Sequence, residues 1–347
     1  MNPQKNPIGL DGIEFIEFAS PDPEAMHRIF TEFGFSRTMH HHELNIDYYN
    51  QGDIHLLLNR EPGSHAAGFT RAHGPCVSSM GWRVRDAGAA VEAAIARGAR
   101  GAVEADYVSE SGERLPAIFG IGDSLIYFVE PEEGVYKAMG FEPHPDPVKV
   151  KPKGFEVIDH LTNNVEKGTM ATWANFYKDI FGFTEVRYFD IRGSKTGLIS
   201  YALRSPCGRF CIPINEGTEH ESQINEYLRE YNGPGVQHIA FLTKDIIRSV
   251  EAMVSTSVET LDIDADYYEE VWKRVPNVKE DHQRIEKLQI LADGDENGYL
   301  LQIFTRNLFG PVFIEIIQRE NNNAFGEGNF GALFRSIERD QEKRGVI

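Results

Sequence analysis

The chain has 347 residues, and 41% of them are hydrophobic, which is enough to build apolar cores for two domains or one large duplicated domain. Its 35 basic and 53 acidic residues give a net charge of −18, which disfavours nucleic acid and anionic membrane surfaces as partners. No apolar run approaches the roughly 20 residues of a membrane span, and the start MNPQKNPIGLDG lacks the apolar core of a secretory signal, so we expect a cytoplasmic protein.

The first half of the chain predicts strands and helices in a fixed order. Residues 12–19, GIEFIEFA, predict a strand, and residues 29–38, IFTEFGFSRT, predict a helix that ends at glycine and turns into a strand. Residues 74–94 predict a strand, an acidic cap at Asp86 and a helix. Residues 123–131, DSLIYFVEP, predict one more strand.

The second half repeats the same segments in the same order. GFEVIDHL at 154–161 aligns without a gap with the first strand, and FYKDIFGFTEV at 176–186 aligns with the helix and turn. GPGVQHIAFLTKDIIRSVEAM at 233–253, with Asp245 as its acidic cap, and PVFIEIIQR at 311–319 match the later segments.

A Pro- and Lys-rich stretch separates the two copies. We therefore expect one domain over residues 1–141, a linker over 142–153 and a second domain over 154–347. The predicted fold is α+β, with tandem βαβββ modules that begin near residues 12, 74, 154 and 233. Two such modules side by side form an open barrel with helices outside, and a ligand is expected inside it.

At three aligned positions the second half carries a metal-ligand residue and the first half does not. The pairs are His160 against Phe18, His238 against Ser79, and Glu315 against Tyr127. Two histidines and one carboxylate are the set that holds non-haem Fe(II) with open coordination positions. Zinc accepts the same ligands and is the alternative metal. Alternation along the strands assigns His238 and Glu315 to one face and leaves His160, which alternates with Asp159, on the other.

Three cysteines are present, and we expect all of them to be reduced thiols. Their number is odd, and Cys207 and Cys211 lie four residues apart with no second cysteine pair nearby. A disulfide framework or a cysteine metal site is therefore not expected.

Five segments of the second half resemble one enzyme family. The segments VIDHLTNNV, GVQHIAF, LLQIFT, FIEIIQR and FGEGNFGALFRSIE resemble signatures of the 4-hydroxyphenylpyruvate dioxygenase family, in the vicinal oxygen chelate superfamily. The resemblance covers essentially the whole chain, loosely in the first half and closely from residue 154 onward. It implies two vicinal oxygen chelate domains, a metal site in the second only, and a C-terminal helix over that second domain.

The resemblance also implies roles for individual residues. It assigns the Fe(II) ligands to His160, His238 and Glu315. The residues implied to act near the reacting groups are Ser200 and Asn215 at the ring end of the substrate and Gln237 and Gln302 near the iron. The residues implied to bind substrate are Gln223, Pro213, Phe304, Phe313, Phe325, Asn329, Phe330 and Leu333. Asn329 and Leu333 belong to the terminal region that closes over the site in the family.

The reaction implied by the resemblance is an oxidation of 4-hydroxyphenylpyruvate by O2. Oxidative decarboxylation and ring hydroxylation, with migration of the side chain, would give homogentisate and CO2 in tyrosine and phenylalanine catabolism. The family is usually a dimer or tetramer, so a homo-oligomer is expected.

Three other functions stay open at this point. A 4-hydroxymandelate synthase uses the same substrate and metal ligands, although Pro213, Asn215 and Phe304 fit the dioxygenase better. An extradiol ring-cleaving dioxygenase usually needs a further histidine near the metal, and the second half offers only His220 and His282 besides the three ligands, both in polar segments. A metal-free binding module of this fold would not need the three ligands.

Overall fold

Two eight-stranded sheets form the core of the computed structural model, which describes residues 5–102, 106–108, 112, 114–193 and 195–346. The first sheet contains β1 (Gly12–Ala19), β2 (Ser36–His41), β3 (Ile46–Gln51), β4 (Ile54–Asn59), β5 (Cys76–Arg83), β6 (Ala117–Phe119), β7 (Leu125–Val129) and β8 (Phe141–Val148). The second contains β9 (Phe155–Val165), β10 (Thr184–Arg192), β11 (Gly197–Arg204), β12 (Cys211–Gly217), β13 (Gly235–Thr243), β14 (Leu291–Gly294), β15 (Tyr299–Phe304) and β16 (Phe313–Glu320).

One helix follows the first strand of each predicted module, and the other helices lie in the remaining connections and after the last strand. The helices are α1 (Pro23–Glu32), α2 (His65–His73), α3 (Ala87–Ala96), α4 (Val135–Ala138), α5 (Met170–Phe181), α6 (Gln223–Tyr231), α7 (Ile246–Glu251), α8 (Ala265–Arg274), α9 (His282–Lys287) and α10 (Phe330–Arg344). Helix α10 follows the last strand and contacts β10 of the second sheet. Two open-barrel domains with a C-terminal helix over the second confirm the predicted fold class.

Local sequence signals explain where several helices begin and end. The carboxylates of Asp86 and Asp245 accept hydrogen bonds from the backbone N–H groups of Ala89 and Arg248, which confirms both as helix caps. Helix α5 ends at Gly182, whose φ of 80° is the left-handed conformation that glycine adopts without strain.

Seven strands of each sheet follow one topology, and the eighth is an edge strand that differs, β8 in the first sheet and β14 in the second. Their strand orders are β6-β7-β5-β1-β4-β3-β2-β8 and β10-β11-β12-β9-β13-β16-β15-β14. In the first sheet β1 is antiparallel to β5 and parallel to β4, and β9 has the same relation to β13 and β12 in the second. Each domain is therefore built around one central strand, β1 or β9.

Part of the segment predicted as a linker is a strand. Residues 142–148 belong to β8, which pairs only with β2 at the edge of the first sheet. Pro143, Pro145 and Pro147 alternate along it. An edge strand needs backbone donors on one side only, so alternate prolines are compatible with it and also block further strand pairing.

The register of the sheets corrects the alignment of the first strands. Phe15 pairs with Gly81 as His160 pairs with Ala240, so Phe15 is the counterpart of His160. Phe18 lies three residues further on and packs in the core, with its ring 5.0 Å from that of Phe30. The expected pairing of His160 with Phe18 was therefore wrong.

The error has a cause in the sequence itself. The triplet Ile-Glu-Phe occurs twice in succession, at 13–15 and 16–18, so the segment Ile-Asp-His at 158–160 aligns equally well with either copy. The sheet selects the first copy. The other two pairs keep their alignment, because Gly81 pairs with Tyr127 as Ala240 pairs with Glu315, and Ser79 pairs with Leu125 as His238 pairs with Phe313.

A shared apolar core joins the two domains. The ring of Trp82 lies 4.8 Å from that of Phe181, and Phe18 lies 5.3 Å from Phe309. These four residues are all at most 5% exposed. In the described part of the chain, no helix is both long enough and apolar enough to cross a membrane.

Candidate metal centre and active site

Three side chains from three adjacent strands meet inside the second barrel. His160 on β9, His238 on β13 and Glu315 on β16 each offer one ligand atom, and these atoms lie within 4.8 Å of one another. Glu315 Oε2 is 3.1 Å from His160 Nε2 and 3.5 Å from His238 Nε2. His160 and Glu315 are 3% exposed and His238 is 9% exposed.

These donors fit a divalent metal ion. Two imidazole nitrogens and one carboxylate oxygen converge on one point, as in sites that leave coordination positions open for other ligands. Within the described residues this is the one group of three or more potential ligands that comes so close together. The set predicted from the sequence is therefore assembled by the fold.

Strand register places the three ligands on the same face of the sheet. His160 pairs with Ala240, which lies two residues from His238, and Ala240 also pairs with Glu315. The expectation that His160 lies on the opposite face from His238 and Glu315 was wrong, because alternation within one strand does not show how that strand is paired with its neighbours.

Two β-bulges flank this regular stretch. Phe241 pairs with Ile158, so Asp159 is an extra residue in β9, and Val236 pairs with Asn163, so Gln237 is an extra residue in β13.

Each bulge residue also orients the histidine that follows it. His160 Nδ1 lies 2.7 Å from Asp159 Oδ2, and His238 Nδ1 lies 3.0 Å from Gln237 Oε1. Both contacts occupy Nδ1 and leave Nε2 directed at Glu315, which is the arrangement by which neighbouring groups fix metal-binding imidazoles. Gln237 was predicted near the metal, whereas Asp159 was not predicted to have a role.

Electrostatics couple the three ligands in the metal-free protein. Burial alone would lower the pKa of His160, but the carboxylates of Glu315 and Asp159 raise it to about 9. Burial alone would raise the pKa of Glu315, but the two imidazoles lower it to about 2. For His238, burial lowers the pKa. A bound cation would replace the imidazolium proton as the charge that compensates Glu315.

Asp159 is held in turn by a partly buried arginine. Arg319 Nε and Nη2 donate to the two carboxylate oxygens of Asp159, at 2.7 and 2.8 Å. Arg319 lies four residues after Glu315 on β16, so the two side chains share a face of the strand. Although burial raises the pKa of Asp159, the guanidinium holds it well below its usual range. Asp159 is therefore a permanent acceptor for His160.

The metal ligands lie at one side of a cavity of about 650 Å3, including the solvent at its mouth. The predicted polar residues that line it are Ser200, Asn215, Gln223, Gln237 and Gln302. The predicted apolar residues that line it are Pro213, Phe304, Phe313, Phe325, Phe330 and Leu333. The fold thus brings eleven predicted side chains to one cavity together with the ligands.

Two of the polar residues have unusual surroundings. Gln302 is 1% exposed, and its side-chain oxygen has no hydrogen-bond partner among the residues that the structure describes. Asn215 Nδ2 donates to Asn164 Oδ1 at 3.4 Å, a long and weak contact. A buried amide oxygen without a partner is costly, so Gln302 has capacity to bind a ligand or a water molecule.

Asn329 does not line the cavity, contrary to expectation. Its side-chain oxygen accepts hydrogen bonds from Tyr267 Oη at 2.7 Å and Arg274 Nη2 at 3.1 Å. Tyr267 and Arg274 lie on α8, and Asn329 directly precedes α10. Asn329 therefore fixes the start of α10 instead of facing the ligand space, because its amide points into the protein.

Six cavity residues were not predicted, and most follow a simple pattern. They are Thr162, Phe189, Ile191, Leu198, Phe334 and Ile337. Phe189 and Ile191 alternate along β10, and Phe334 and Ile337 continue the helical spacing of Phe330 and Leu333 on α10. Strand alternation and helix periodicity would have identified four of them.

Among its described residues, the first domain holds no comparable ligand set. Phe15, Ser79 and Tyr127 occupy the positions of the three ligands, and the rings of Phe15 and Tyr127 lie 6.0 Å apart. The centre is not wholly apolar, because Glu17 is buried there and accepts hydrogen bonds from Ser78 and Ser79, at 2.8 and 3.1 Å.

Comparison with known protein families places both domains. The model described as "Hydroxyphenylpyruvate dioxygenase, HPPD, N-terminal" matches residues 4–141. The model described as "Glyoxalase/Bleomycin resistance protein/Dioxygenase superfamily" matches residues 157–273.

Individual relatives cover the whole chain. The chain is 59% identical over 351 residues to protein MelA of Shewanella colwelliana, with full coverage of both. It is 45% identical over 345 residues to 4-hydroxyphenylpyruvate dioxygenase of Legionella pneumophila, with 99% of this chain and 98% of the relative covered. A mutant of 4-hydroxymandelate synthase from Streptomyces coelicolor shares the fold, with a TM-score of 0.82, 23% identity, and coverage of 96% of this chain and 99% of that one. The chain belongs to the 4-hydroxyphenylpyruvate dioxygenase family of enzymes, within the vicinal oxygen chelate superfamily.

Proposed function

We propose that the protein binds Fe(II) through His160, His238 and Glu315 and uses O2 to convert 4-hydroxyphenylpyruvate into homogentisate and CO2. One observation carries this proposal: the three ligands lie in a cavity whose walls are mainly apolar, with six phenylalanine rings, and which also carries several amide side chains. The substrate has the matching parts, a 2-oxo acid that can chelate a metal, a phenyl ring, and a hydroxyl group at the far end of the ring.

Fe(II) bound at this site would supply open coordination positions for the 2-oxo acid and O2, and it would pass electrons from the substrate, which is their net source, to O2. The task of the protein is to hold the ligands rigidly. Asp159 and Gln237 fix the two imidazoles through Nδ1, so the Nε2 atoms need no reorientation when a metal binds. The preformed geometry supports a catalytic role for the metal.

The aromatic walls orient the ring of the substrate. The ring of Phe313 stacks on His238, with centroids 4.7 Å apart, and Phe304 stands edge-on to the same imidazole. Phe325 packs edge-on against His160 at 5.8 Å. Such surfaces bind a phenyl ring by dispersion and edge-to-face contacts and exclude water from the reacting atoms.

The polar residues away from the ligands are proposed to bind the ring hydroxyl. Ser200 on β11 and Asn215 on β12 are paired across the two strands, and Gln223 begins α6. A hydroxyl group and amides can both donate to and accept from a phenol. Gln302, with its unpartnered oxygen, is proposed to bind closer to the metal.

The first test is oxygen uptake by Fe(II)-loaded protein with 4-hydroxyphenylpyruvate, and identification of the aromatic product by chromatography and mass. We expect homogentisate. Formation of 4-hydroxymandelate would instead assign the chain to the synthase reaction at the same site. Absence of uptake with iron bound would reject this substrate. Glu315→Ala serves as the inactive variant, and His220→Ala, at an exposed histidine, as the matched control.

A further inference from the structure

The partly buried pair Asp159–Arg319 connects the metal ligands to the turn that leads into α10. We define the 321–326 turn as the residues between β16 and the short 3-10 helix Glu327–Asn329 that precedes α10. Arg319 Nη1 donates to the backbone oxygens of Ala324 and Asn322 in this turn, at 2.6 and 3.2 Å. The same guanidinium holds Asp159 through its other two nitrogens.

The two contacts of Arg319 leave the guanidinium little freedom. Its planar fork meets two carboxylate oxygens on one side and two carbonyl oxygens on the other, and its side chain is 15% exposed. Lysine could not reproduce this arrangement, because its single ammonium lacks the two-sided fork. A shift at either end therefore has to move the guanidinium or break hydrogen bonds.

The turn also contacts the metal site directly. Phe325 packs against His160 on one side, and the guanidinium of Arg319 lies 6.0 Å from the ring centroid of Phe325 on the other. The contacts therefore form a ring: His160 contacts Asp159, Asp159 contacts Arg319, Arg319 contacts the turn, and Phe325 of the turn contacts His160. One partly buried arginine thus links His160 to the 321–326 turn.

We propose that Arg319 is a positioning residue that couples metal binding at His160 to the order of the 321–326 turn at the start of α10. Metal binding fixes the imidazole, the imidazole fixes Asp159, and Asp159 fixes the guanidinium that holds the turn carbonyls. The turn carries Phe325 and leads into Phe330 and Leu333 of the cavity wall. Metal loading would therefore preorganise the aromatic end of the site before substrate arrives.

This inference rests on the proposed metal site but not on the proposed substrate. Its test uses Fe(II) alone under anaerobic conditions and measures the dissociation constant by competition with a chelator. Failure of the wild-type protein to bind Fe(II) would reject the metal site itself. If the wild-type protein binds Fe(II) and the Arg319 variants have the same dissociation constant, only the role of Arg319 is rejected.

A double-mutant cycle separates positioning from general destabilisation. Asp159→Asn is expected to weaken Fe(II) binding by about 10- to 100-fold, the usual effect of removing the partner of a metal-binding histidine. Arg319→Met is expected to weaken it about tenfold in the wild-type background and by less than twofold when Asp159→Asn is already present. Fully additive effects, or an unchanged constant in Arg319→Met, would overturn the proposal.

The first domain provides a matched control. Glu14 is the extra residue of a bulge in β1, the counterpart of Asp159, and it accepts a hydrogen bond from Arg83 Nε at 2.6 Å. The next residue is Phe15, which binds no metal. Arg83→Met therefore removes a similar arginine–carboxylate pair and should leave the Fe(II) dissociation constant within twofold of the wild-type value. A loss equal to that in Arg319→Met would contradict a specific role.

Hydrogen exchange measures the coupling to the turn. In the wild-type protein, Fe(II) should slow amide exchange in a peptide that spans residues 321–330, and in Arg319→Met this protection should disappear. Arg319→Lys is the milder variant if Arg319→Met folds poorly, and it should also lose most of the protection because lysine lacks the fork. Full protection in Arg319→Lys, or none in the wild-type protein, would overturn the coupling.

Discussion

Phe15 in the first domain occupies the position that His160 occupies in the second. Each is the residue after a bulge in the central strand, and each faces the third ligand position, where the first domain has Tyr127 and the second has Glu315. The backbone that presents metal ligands is therefore present twice. Only the side chains decide which barrel can bind a cation.

The first prediction concerns this difference between the barrels. His160→Ala should lower the Fe(II) content of the dialysed protein from about one equivalent to near zero, because two ligands seldom retain a catalytic metal. Phe15→Leu should keep the metal and lose about 1–2 kcal/mol of unfolding free energy through reduced core packing. Metal analysis and denaturant unfolding of both variants provide the check. Loss of iron in Phe15→Leu would show that metal binding in the second barrel depends on packing in the first.

The sequence predicted the metal ligands because each breaks a repeat. His238 and Glu315 stood out against Ser79 and Tyr127 in ungapped segments, and the structure keeps these pairs. Comparing residue types at aligned positions of the two halves therefore identifies metal ligands even when the fold is not known.

The bulges could not be predicted in the same way. Alternation within a single strand does not show how that strand is paired with its neighbours, so it placed His160 on the wrong face, and a bulge leaves no fixed residue type by which it could be recognised. The roles of Asp159 and Arg319 depend on contacts between residues 160 positions apart, which spacing alone does not reveal. Because Ile-Glu-Phe occurs twice in succession, the sequence also allowed His160 to be aligned with Phe18, and only the strand pairing identifies Phe15 as its counterpart.

The second prediction concerns a buried carboxyl group in the first domain. Burial and the nearby Asp106 raise the pKa of Glu17 to about 7, from a usual value of 4.5. The folded state thus holds the proton more tightly than the unfolded state does. The resulting stabilisation is complete below about pH 4.5 and is lost as the pH rises through about 7.

Unfolding free energies measured between pH 5 and pH 8 test this assignment. The wild-type protein should lose on the order of 3 kcal/mol over the range in which Glu17 ionises. Glu17→Gln removes the titrating group, so its stability should change less over the same range. Glu156→Gln, at a partly exposed salt bridge with Lys244, is the control and should follow the wild-type curve. If the unfolding free energies of the wild-type protein and Glu17→Gln change equally with pH, the pKa of Glu17 is not raised.

The third prediction concerns how α10 is held over the cavity. Glu338 is 5% exposed and accepts hydrogen bonds from the backbone N–H groups of Lys195 and Thr196, at 2.9 and 3.0 Å. Glu342, one turn later, forms an ion pair with Lys195 Nζ at about 50% exposure on both sides. A buried carboxylate with backbone donors should anchor the helix more strongly than a solvent-exposed pair.

Glu338→Ala should therefore loosen α10, and Glu342→Ala should not. We expect faster amide exchange in α10 and a KM for 4-hydroxyphenylpyruvate raised severalfold in Glu338→Ala, because Phe330 and Leu333 would be held less firmly. Exchange and KM in Glu342→Ala should stay within twofold of wild type. Equal effects of the two substitutions would mean that the buried contact has no special importance for the helix.

The fourth prediction concerns recognition of the ring hydroxyl by Asn215. A site that hydrogen-bonds a substrate hydroxyl loses affinity for that substrate when the partner is removed, but not for an analogue that lacks the hydroxyl. Asn215→Leu keeps a similar volume and removes both the donor and the acceptor. Its kcat/KM should fall about tenfold for 4-hydroxyphenylpyruvate, the effect of about one lost hydrogen bond.

Phenylpyruvate, which lacks the hydroxyl group, separates this effect from simple damage to the cavity. In Asn215→Leu its kcat/KM should stay within twofold of the wild-type value, because no polar contact with the ring end is lost. Phe189→Leu changes the same cavity without removing a polar atom, and it should affect both substrates alike. Equal losses for the two substrates in Asn215→Leu would move hydroxyl recognition away from Asn215, and Ser200, its cross-strand neighbour, would then be the next residue to substitute.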